Sequence, residues 1–261
     1  MLRIVGSFLL ILLLAYLGLG VLLYLKQRSF IYFPQANNLA TPENSLILPV
    51  NAAHLHLITS IGQRPQAIIY FGGNAEDVSL SLPAFEIAYP THDLYLVNYR
   101  SYGNSSGKPT ETALFADALA VFDHVQQQGY KKIIVIGRSL GSGVACYLAS
   151  QRSVDELNLV TPFDSLLAIA QQHYPVYPLS WLLKDKYESW RYAPKINAPT
   201  TLLIAAQDEI IPNSHSKALF AHFPKGQARY LILDNTQHNT ISQHPDYYAS
   251  LIRLANTIKQ P

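Results

Sequence analysis

An unbroken apolar run occupies residues 4–25, with no charged side chain inside it. A helix needs ~20 residues to cross the ~30 Å hydrocarbon core of a bilayer, and this run has that length. It shows no polar stripe, so the pattern predicts a lipid-facing helix rather than a core helix. Arg3 precedes the run, Lys26 and Arg28 follow it, and Tyr24 falls near its end, where aromatic residues mark a membrane interface. A cleaved secretory signal has a shorter apolar region, ~7–15 residues, and closes on a small-x-small site. Here Tyr24-Leu25-Lys26-Gln27-Arg28 follows instead. The expectation is an uncleaved single-pass anchor over 1–25 that touches membrane lipid, with its orientation left open.

The remaining pattern changes period. Residues 26–45 contain Phe33-Pro34 and Thr41-Pro42 and read as an extended linker. Short apolar runs at 67–71, 94–99, 132–136, 157–160, 201–205 and 229–233 read as strands, that at 132–136 as a buried one. Between them, 112–128 has apolar positions at helical spacing and stops at Gly129. Residues 46–50 and 54–58 offer two further, antiparallel strands. Strands alternating with helices predict an α/β fold: a mostly parallel sheet flanked by helices, here over 46–261. The stretch 165–199 breaks the alternation. It holds Tyr174, Tyr177, Trp181, Tyr187, Trp190 and Tyr192 with several prolines, and is too long for a plain loop. Two readings stand for it: a surface insertion packed on itself, or a small cap over a substrate site.

Composition narrows the function classes. Hydrophobic residues make up 49% and charged residues 14% of the 261, which excludes a disordered chain and fits one large core plus the apolar run. The net charge of +2 comes without a cationic cluster, so nucleic acid is not an expected partner. Cys146 is the single cysteine. It rules out an internal disulfide and a multi-cysteine zinc site, and it lies in a run that reads as a buried helix.

The chemistry concentrates at Gly137-Arg138-Ser139-Leu140-Gly141, between a predicted strand and a predicted helix. That context makes G-x-S-x-G a nucleophile elbow. The turn lifts the Ser139 hydroxyl above the sheet, the flanking glycines leave room for it, and the Leu140 N–H is aimed at a developing oxyanion. A serine hydroxyl needs a base. Asp208 and His238 each follow a later strand, in the chain order Ser, Asp, His of α/β-hydrolases. Glu209 competes with Asp208 for the acid. His215, His222 and His244 read as surface or helix residues, and His54 and His56 come too early in the chain. Phe71-Gly72-Gly73-Asn74-Ala75 follows an early strand and supplies the second oxyanion donor, assigned to the Asn74 N–H. For Arg100 and Arg138 the two readings are structural salt bridges, which are favoured, and binding of a substrate anion. No metal or cofactor is required by this chemistry.

These segments, with Tyr99-Arg100-Ser101-Tyr102-Gly103, Thr161-Pro162-Phe163-Asp164-Ser165 and Gln207-Asp208-Glu209-Ile210-Ile211-Pro212, resemble the membrane-anchored serine hydrolases of the α/β-hydrolase domain-containing family. The resemblance runs from about Phe30 to the C-terminus. It implies a nucleophile at Ser139, an acid at Asp208, a base at His238, oxyanion donors near Asn74 and Leu140, and hydrolysis of acyl esters or thioesters. One departure is that relatives usually carry His-Gly-Asn-Ala where this chain has Gly72-Gly73-Asn74-Ala75. A peptidase on the same fold and a non-catalytic membrane-anchored binding protein remain the rival functions.

Overall fold

Strand β5 (Lys132–Arg138) is apolar on both faces: Ile133 and Val135 enter one hydrophobic cluster, Ile134 and Ile136 another. Successive strand residues point to opposite faces, so such a strand must be covered on both sides. The same division holds in β3 (Gln66–Phe71), β4 (His92–Val97) and β7 (Thr200–Ala205). Helices α3 (Glu111–Gln126), α4 (Leu140–Gln151) and α7 (Asn213–Ala221) cover one face through Val121, Val144 and Leu219. Helices α2 (Leu82–Ala88) and α8 (Tyr247–Ile252) cover the other through Phe85 and Leu251. Each such side chain, fully buried, contributes about 1.5–3 kcal/mol relative to exposure.

With β1 (Ser45–Val50), β2 (Ala53–Ser60), β6 (Glu156–Val160) and β8 (Ala228–Leu233), the sheet has eight strands in the order β1-β2-β4-β3-β5-β6-β7-β8. β1 and β2 run antiparallel, and every pairing from β4 to β8 is parallel. The parallel strands therefore end on one edge, and the loops leaving that edge carry the candidate chemistry. The computed structural model describes residues 2–252, so position 1 of the expected anchor and the last nine positions of the expected 46–261 domain lie outside the described residues.

Helix α1 (Leu2–Lys26) spans the predicted apolar run. Among the described residues it belongs to the single span long and apolar enough to cross a membrane, Arg3–Phe30, whose mean hydropathy reaches 2.7 and whose most apolar window is wholly unburied. The chain after it differs from the extended linker expected over 26–45. A 3₁₀ turn, Gln27–Phe30, prolongs the helix. The cause is tertiary: the Gln27 amide donates to the Tyr24 and Leu182 carbonyls and accepts from the Lys184 N–H, and Arg28 pairs with Asp185 at 2.8 Å. Ile31 is still in the αR region and a bend falls at Asn38 and Leu39; otherwise the chain from Tyr32 forms neither helix nor strand until a 3₁₀ turn at Pro42–Asn44, and Ile31 and Tyr32 are buried in the core.

The aromatic stretch 165–199 holds α5 (Leu166–His173), α6 (Leu179–Leu182) and two 3₁₀ turns. It packs against α1. The Tyr16 and Tyr177 rings stack with centroids 4.7 Å apart and planes 6° from parallel. The Tyr16 hydroxyl donates to the Val176 carbonyl at 2.9 Å, and the Tyr177 hydroxyl donates to the Tyr16 carbonyl at 3.0 Å.

Candidate active site

The turn from β5 into α4 holds Ser139 at φ 51°, ψ −118°. Positive φ is rare outside glycine, so this residue is strained, and backbone strain of this kind clusters at functional sites. The neighbours make the turn possible. A Cβ on Gly141 would collide with the Phe71 carbonyl of β3, and one on Gly137 would collide with the Gly141 carbonyl and lie 2.7 Å from Ala145 Cβ. The Ser139 N–H donates to the Val160 carbonyl at 2.9 Å, while its own carbonyl accepts from the Ser142 N–H and hydroxyl. The elbow is thus pinned to the end of β6.

His238 arrives from the loop after β8, 99 positions along the chain from Ser139, and its Nε2 lies 2.9 Å from Ser139 Oγ. Its Nδ1 lies 2.8 and 3.0 Å from the two carboxylate oxygens of Asp208, which follows β7. Asp208 is fixed in turn by the Ile210 and Ile211 N–H groups, both donating to Oδ1. All three side chains are buried or nearly so: Ser139 and His238 are 8% and 4% exposed, and the Asp208 side chain 2%. Burial matters because hydrogen bonds between polar groups strengthen as water is excluded. Glu209 is placed differently. Its carboxylate accepts the backbone N–H of His238 at 3.2 Å and so positions the loop, not the imidazole ring.

The loop after β3 closes against the serine: a Cβ built on Gly73 would lie 3.8 Å from Ser139 Cβ. The Gly73 N–H is taken, donating to Glu76 Oε2 at 2.8 Å. The Asn74 and Leu140 N–H groups donate to no protein acceptor among the described residues, which leaves the two expected donors free. The loop at Gly72, where the resemblance implies a histidine, is held by hydrogen bonds from neighbouring elements. The Tyr99 hydroxyl donates to the Gly72 carbonyl at 2.7 Å, and Asn74 is gripped through its carbonyl by the Phe33 N–H and the Tyr102 hydroxyl and through its side chain, whose Nδ2 donates to the Ile31 carbonyl. The Tyr70 hydroxyl donates to both Glu76 oxygens. Burial pushes the Tyr70 and Tyr99 hydroxyls well above the ordinary tyrosine range, so both remain donors. A Cβ at Gly72 would stand 2.8 Å from Val78 Cγ1, so this loop is packed for glycine.

Both arginines take structural roles. Arg100 pairs with Asp117 through two hydrogen bonds of 2.8 and 2.7 Å. Arg138 reaches Glu76 and the His238 carbonyl, each at 3.4 Å, and lies between the two loops. Cys146 is fully buried in α4, and burial pushes its thiol up to about 12. His215, expected on the surface or in a helix, lies on α7, buried, with Nδ1 2.7 Å from Asp164, an imidazole–carboxylate pair outside the Ser139 cluster. The sequence reading quotes Tyr99 and Tyr102 without a role and omits Glu76: nothing local marks the two tyrosines as side chains that anchor the loop after β3 from the end of β4, and Glu76 fixes its own loop through the Gly73 N–H. Among the described residues, no group of three or more His, Cys, Asp or Glu side chains could hold a metal ion.

A family model described as α/β hydrolase fold matches residues 67–178. An uncharacterized protein of Mycobacterium tuberculosis is 33% identical over 242 residues, covering 84% of each chain. An uncharacterized membrane protein of Saccharomyces cerevisiae is 29% identical over 193 residues, covering 69% of this chain and 66% of that one. Among solved structures, an esterase of Pyrococcus furiosus superposes with a TM-score of 0.69 at 15% identity, over 86% of this chain and 98% of the other.

Proposed function

The chain belongs to the α/β-hydrolase family, and from that premise we propose that it is a membrane-tethered serine hydrolase cleaving carboxylic esters or thioesters of acyl substrates. The observation that carries the proposal is the continuous chain of contacts from Asp208 through the His238 imidazole to Ser139 Oγ, on a strained elbow with two unpaired N–H groups nearby. His238 Nε2 accepts the Ser139 proton as Oγ attacks the acyl carbon. Electrons of the carbonyl move to its oxygen, and the Leu140 and Asn74 N–H groups stabilise the resulting oxyanion. The tetrahedral intermediate collapses, His238 returns the proton to the leaving alcohol or thiol, and an acyl-Ser139 ester remains. Water repeats the cycle and releases the acid. Asp208 holds the imidazole tautomer and stabilises its cation.

The name esterase borne by the Pyrococcus furiosus structure supports the ester reading, and the name membrane protein borne by the yeast relative supports a membrane role for α1. In this reading residues 1–25 locate the enzyme and 46–261 perform the chemistry. The test is labelling of the full-length protein with a fluorophosphonate probe, beside turnover of p-nitrophenyl esters and aminoacyl amides. The expected result is labelling and ester turnover that Ser139→Ala abolishes, with a loss of roughly 10⁴–10⁶ in kcat. An unlabelled wild-type serine, or an Ser139→Ala variant with near-normal turnover, would overturn the mechanism, and amide turnover exceeding ester turnover would favour a peptidase.

A further inference from the structure

A cavity of about 280 Å³ separates the end of α1 from the 165–199 stretch. Its walls include Gly20 and Leu23 of α1, Ile31 beyond it, and Leu166, Ile169 and Leu183 from the insertion. We propose that this cavity receives one fatty acyl chain of a glycerolipid from the surrounding leaflet, so that anchor and insertion together form the acyl site. The proposal deepens the ester-hydrolase reading by naming the group that the enzyme would grip, and it rests on that reading for its kinetic arm alone.

Three observations select this occupant. The first is chemical. The buried polar lining groups are already engaged within the protein: the Gln27 amide is spent on Tyr24, Leu182 and Lys184, and the Tyr177 hydroxyl on Tyr16, while the Tyr24 side chain is exposed. Tyr174 and His173 lie exposed at the rim. The interior offers a ligand hydrocarbon contact and almost nothing else, and a volume near the small end of the ~300–1,000 Å³ of ligand sites suits a chain rather than a headgroup. The second is position. One wall is the apolar helix itself, so the opening falls where that helix leaves lipid. Lys184 stands 4.1 Å over the Tyr24 ring, and Trp181 and Val176 on the insertion are 87% and 68% exposed. A cation, a tyrosine and an outward tryptophan together match the headgroup level of a bilayer. The third is connection. Ile31 lines the cavity, and its carbonyl accepts the Asn74 side-chain amide at 3.0 Å, while Leu166 follows the chain leaving β6, whose Val160 carbonyl holds the Ser139 N–H. Ile31 and Ile169 of the lining belong to the same core cluster as Val144 of α4, so the cavity opens on the α4 face of the sheet and is tied through Ile31 to the loop that carries Asn74.

Gly20 contributes a steric detail. A Cβ there would come within 3.1 Å of the Tyr177 ring, so the glycine permits the close seating of α1 on the insertion that closes the cavity.

The experiment uses full-length protein in phosphatidylcholine vesicles containing phosphatidylcholine with a diazirine in one acyl chain. After irradiation, adducts are mapped by mass spectrometry. The expected result is adducts on the α5 segment around Leu166 and Ala170 as well as on α1. Ala170→Trp and Leu23→Trp fill the cavity from separate elements, and each is expected to cut the α5 adducts on the order of tenfold. Leu22→Trp, on a position outside the cavity, leaves them in place. Thermal unfolding identifies a variant that fails to fold, in which case the other carries the test. In parallel, the ratio of kcat/KM for palmitoyl over butyryl esters falls on the order of tenfold in the filled variants, comparable to losing about two buried methylenes. Absence of α5 adducts, adducts indifferent to both fillings, or α5 labelling by a free diazirine fatty acid alone overturns the glycerolipid site. Intact labelling in a protein that hydrolyses no ester would sink the hydrolase reading and leave the site standing.

Discussion

The Ile31 carbonyl accepts a 3.0 Å hydrogen bond from Asn74 Nδ2, joining the segment that leaves α1 to the loop beside Ser139. Ile31 is five residues beyond the last residue of α1 and is itself buried in the core. Phe33 adds a second tie, its N–H donating to the Asn74 carbonyl. The connection after α1 therefore holds the loop that carries the Asn74 N–H, and whatever seats α1 also bears on the position of that group.

Asn74→Ala removes the side-chain tie but keeps the backbone N–H and the carbonyl grip of Phe33 and Tyr102. The expected outcome is a folded protein with kcat lowered about tenfold and KM little changed. That loss is smaller than the ~10²–10³ of deleting an oxyanion donor outright, since the donor is loosened, not removed. Steady-state kinetics on a p-nitrophenyl ester checks it. An unaltered kcat would show that the loop holds its donor without Ile31.

Asp208→Asn keeps the shape of the acid but allows the amide to hold His238 in the wrong tautomer, with an expected loss of about 10⁴ in kcat. Glu209→Gln is expected to cost much less, because the Glu209 carboxylate contacts the His238 backbone N–H and not its ring. The two variants are compared in one assay. A larger defect in Glu209→Gln would reverse the assignment of the acid.

Cys146 provides a pH prediction. Burial raises its thiol to about 12, against ~8.5 for a free thiol. The thiolate is the reactive form, so the native protein is expected to resist a maleimide or disulfide reagent from pH 7 to 9. The reagent reacts once denaturant exposes the side chain. The folded-state value lies above the unfolded one, so this group's contribution is fully present below the unfolded pKa. It declines as pH rises above about 8.5, because the unfolded chain then holds fewer protons. A Cys146→Ala variant should show a shallower loss of stability between pH 8.5 and 10 in denaturant titrations. Rapid native labelling at pH 8 would contradict the burial argument.

Much of this protein was legible locally. The apolar run, the all-apolar strands and the G-x-S-x-G turn are governed by interactions within a few residues: helix length against bilayer thickness, side-chain alternation, and the room a glycine leaves beside Ser139. The chain order of Ser139, Asp208 and His238 followed once the strands were recognised, because each residue sits just past a strand end. What the chain pattern left undecided depends on pairs remote in sequence. Nothing near Gln27 announces that its amide will meet Leu182 and Lys184 and turn an expected linker into a continued helix. The sequence favours Asp208 as the acid but leaves the adjacent, chemically similar Glu209 as its competitor. Only the packing of β7 beside β8 directs one carboxylate to the imidazole ring and the other to its backbone. His215 shows the same limit: α7 folds it inward onto Asp164, a partner 51 residues away. Side-chain chemistry and period set the elements and the candidate residues, whereas the long-range packing of strands, insertion and α1 decided which of those residues meet.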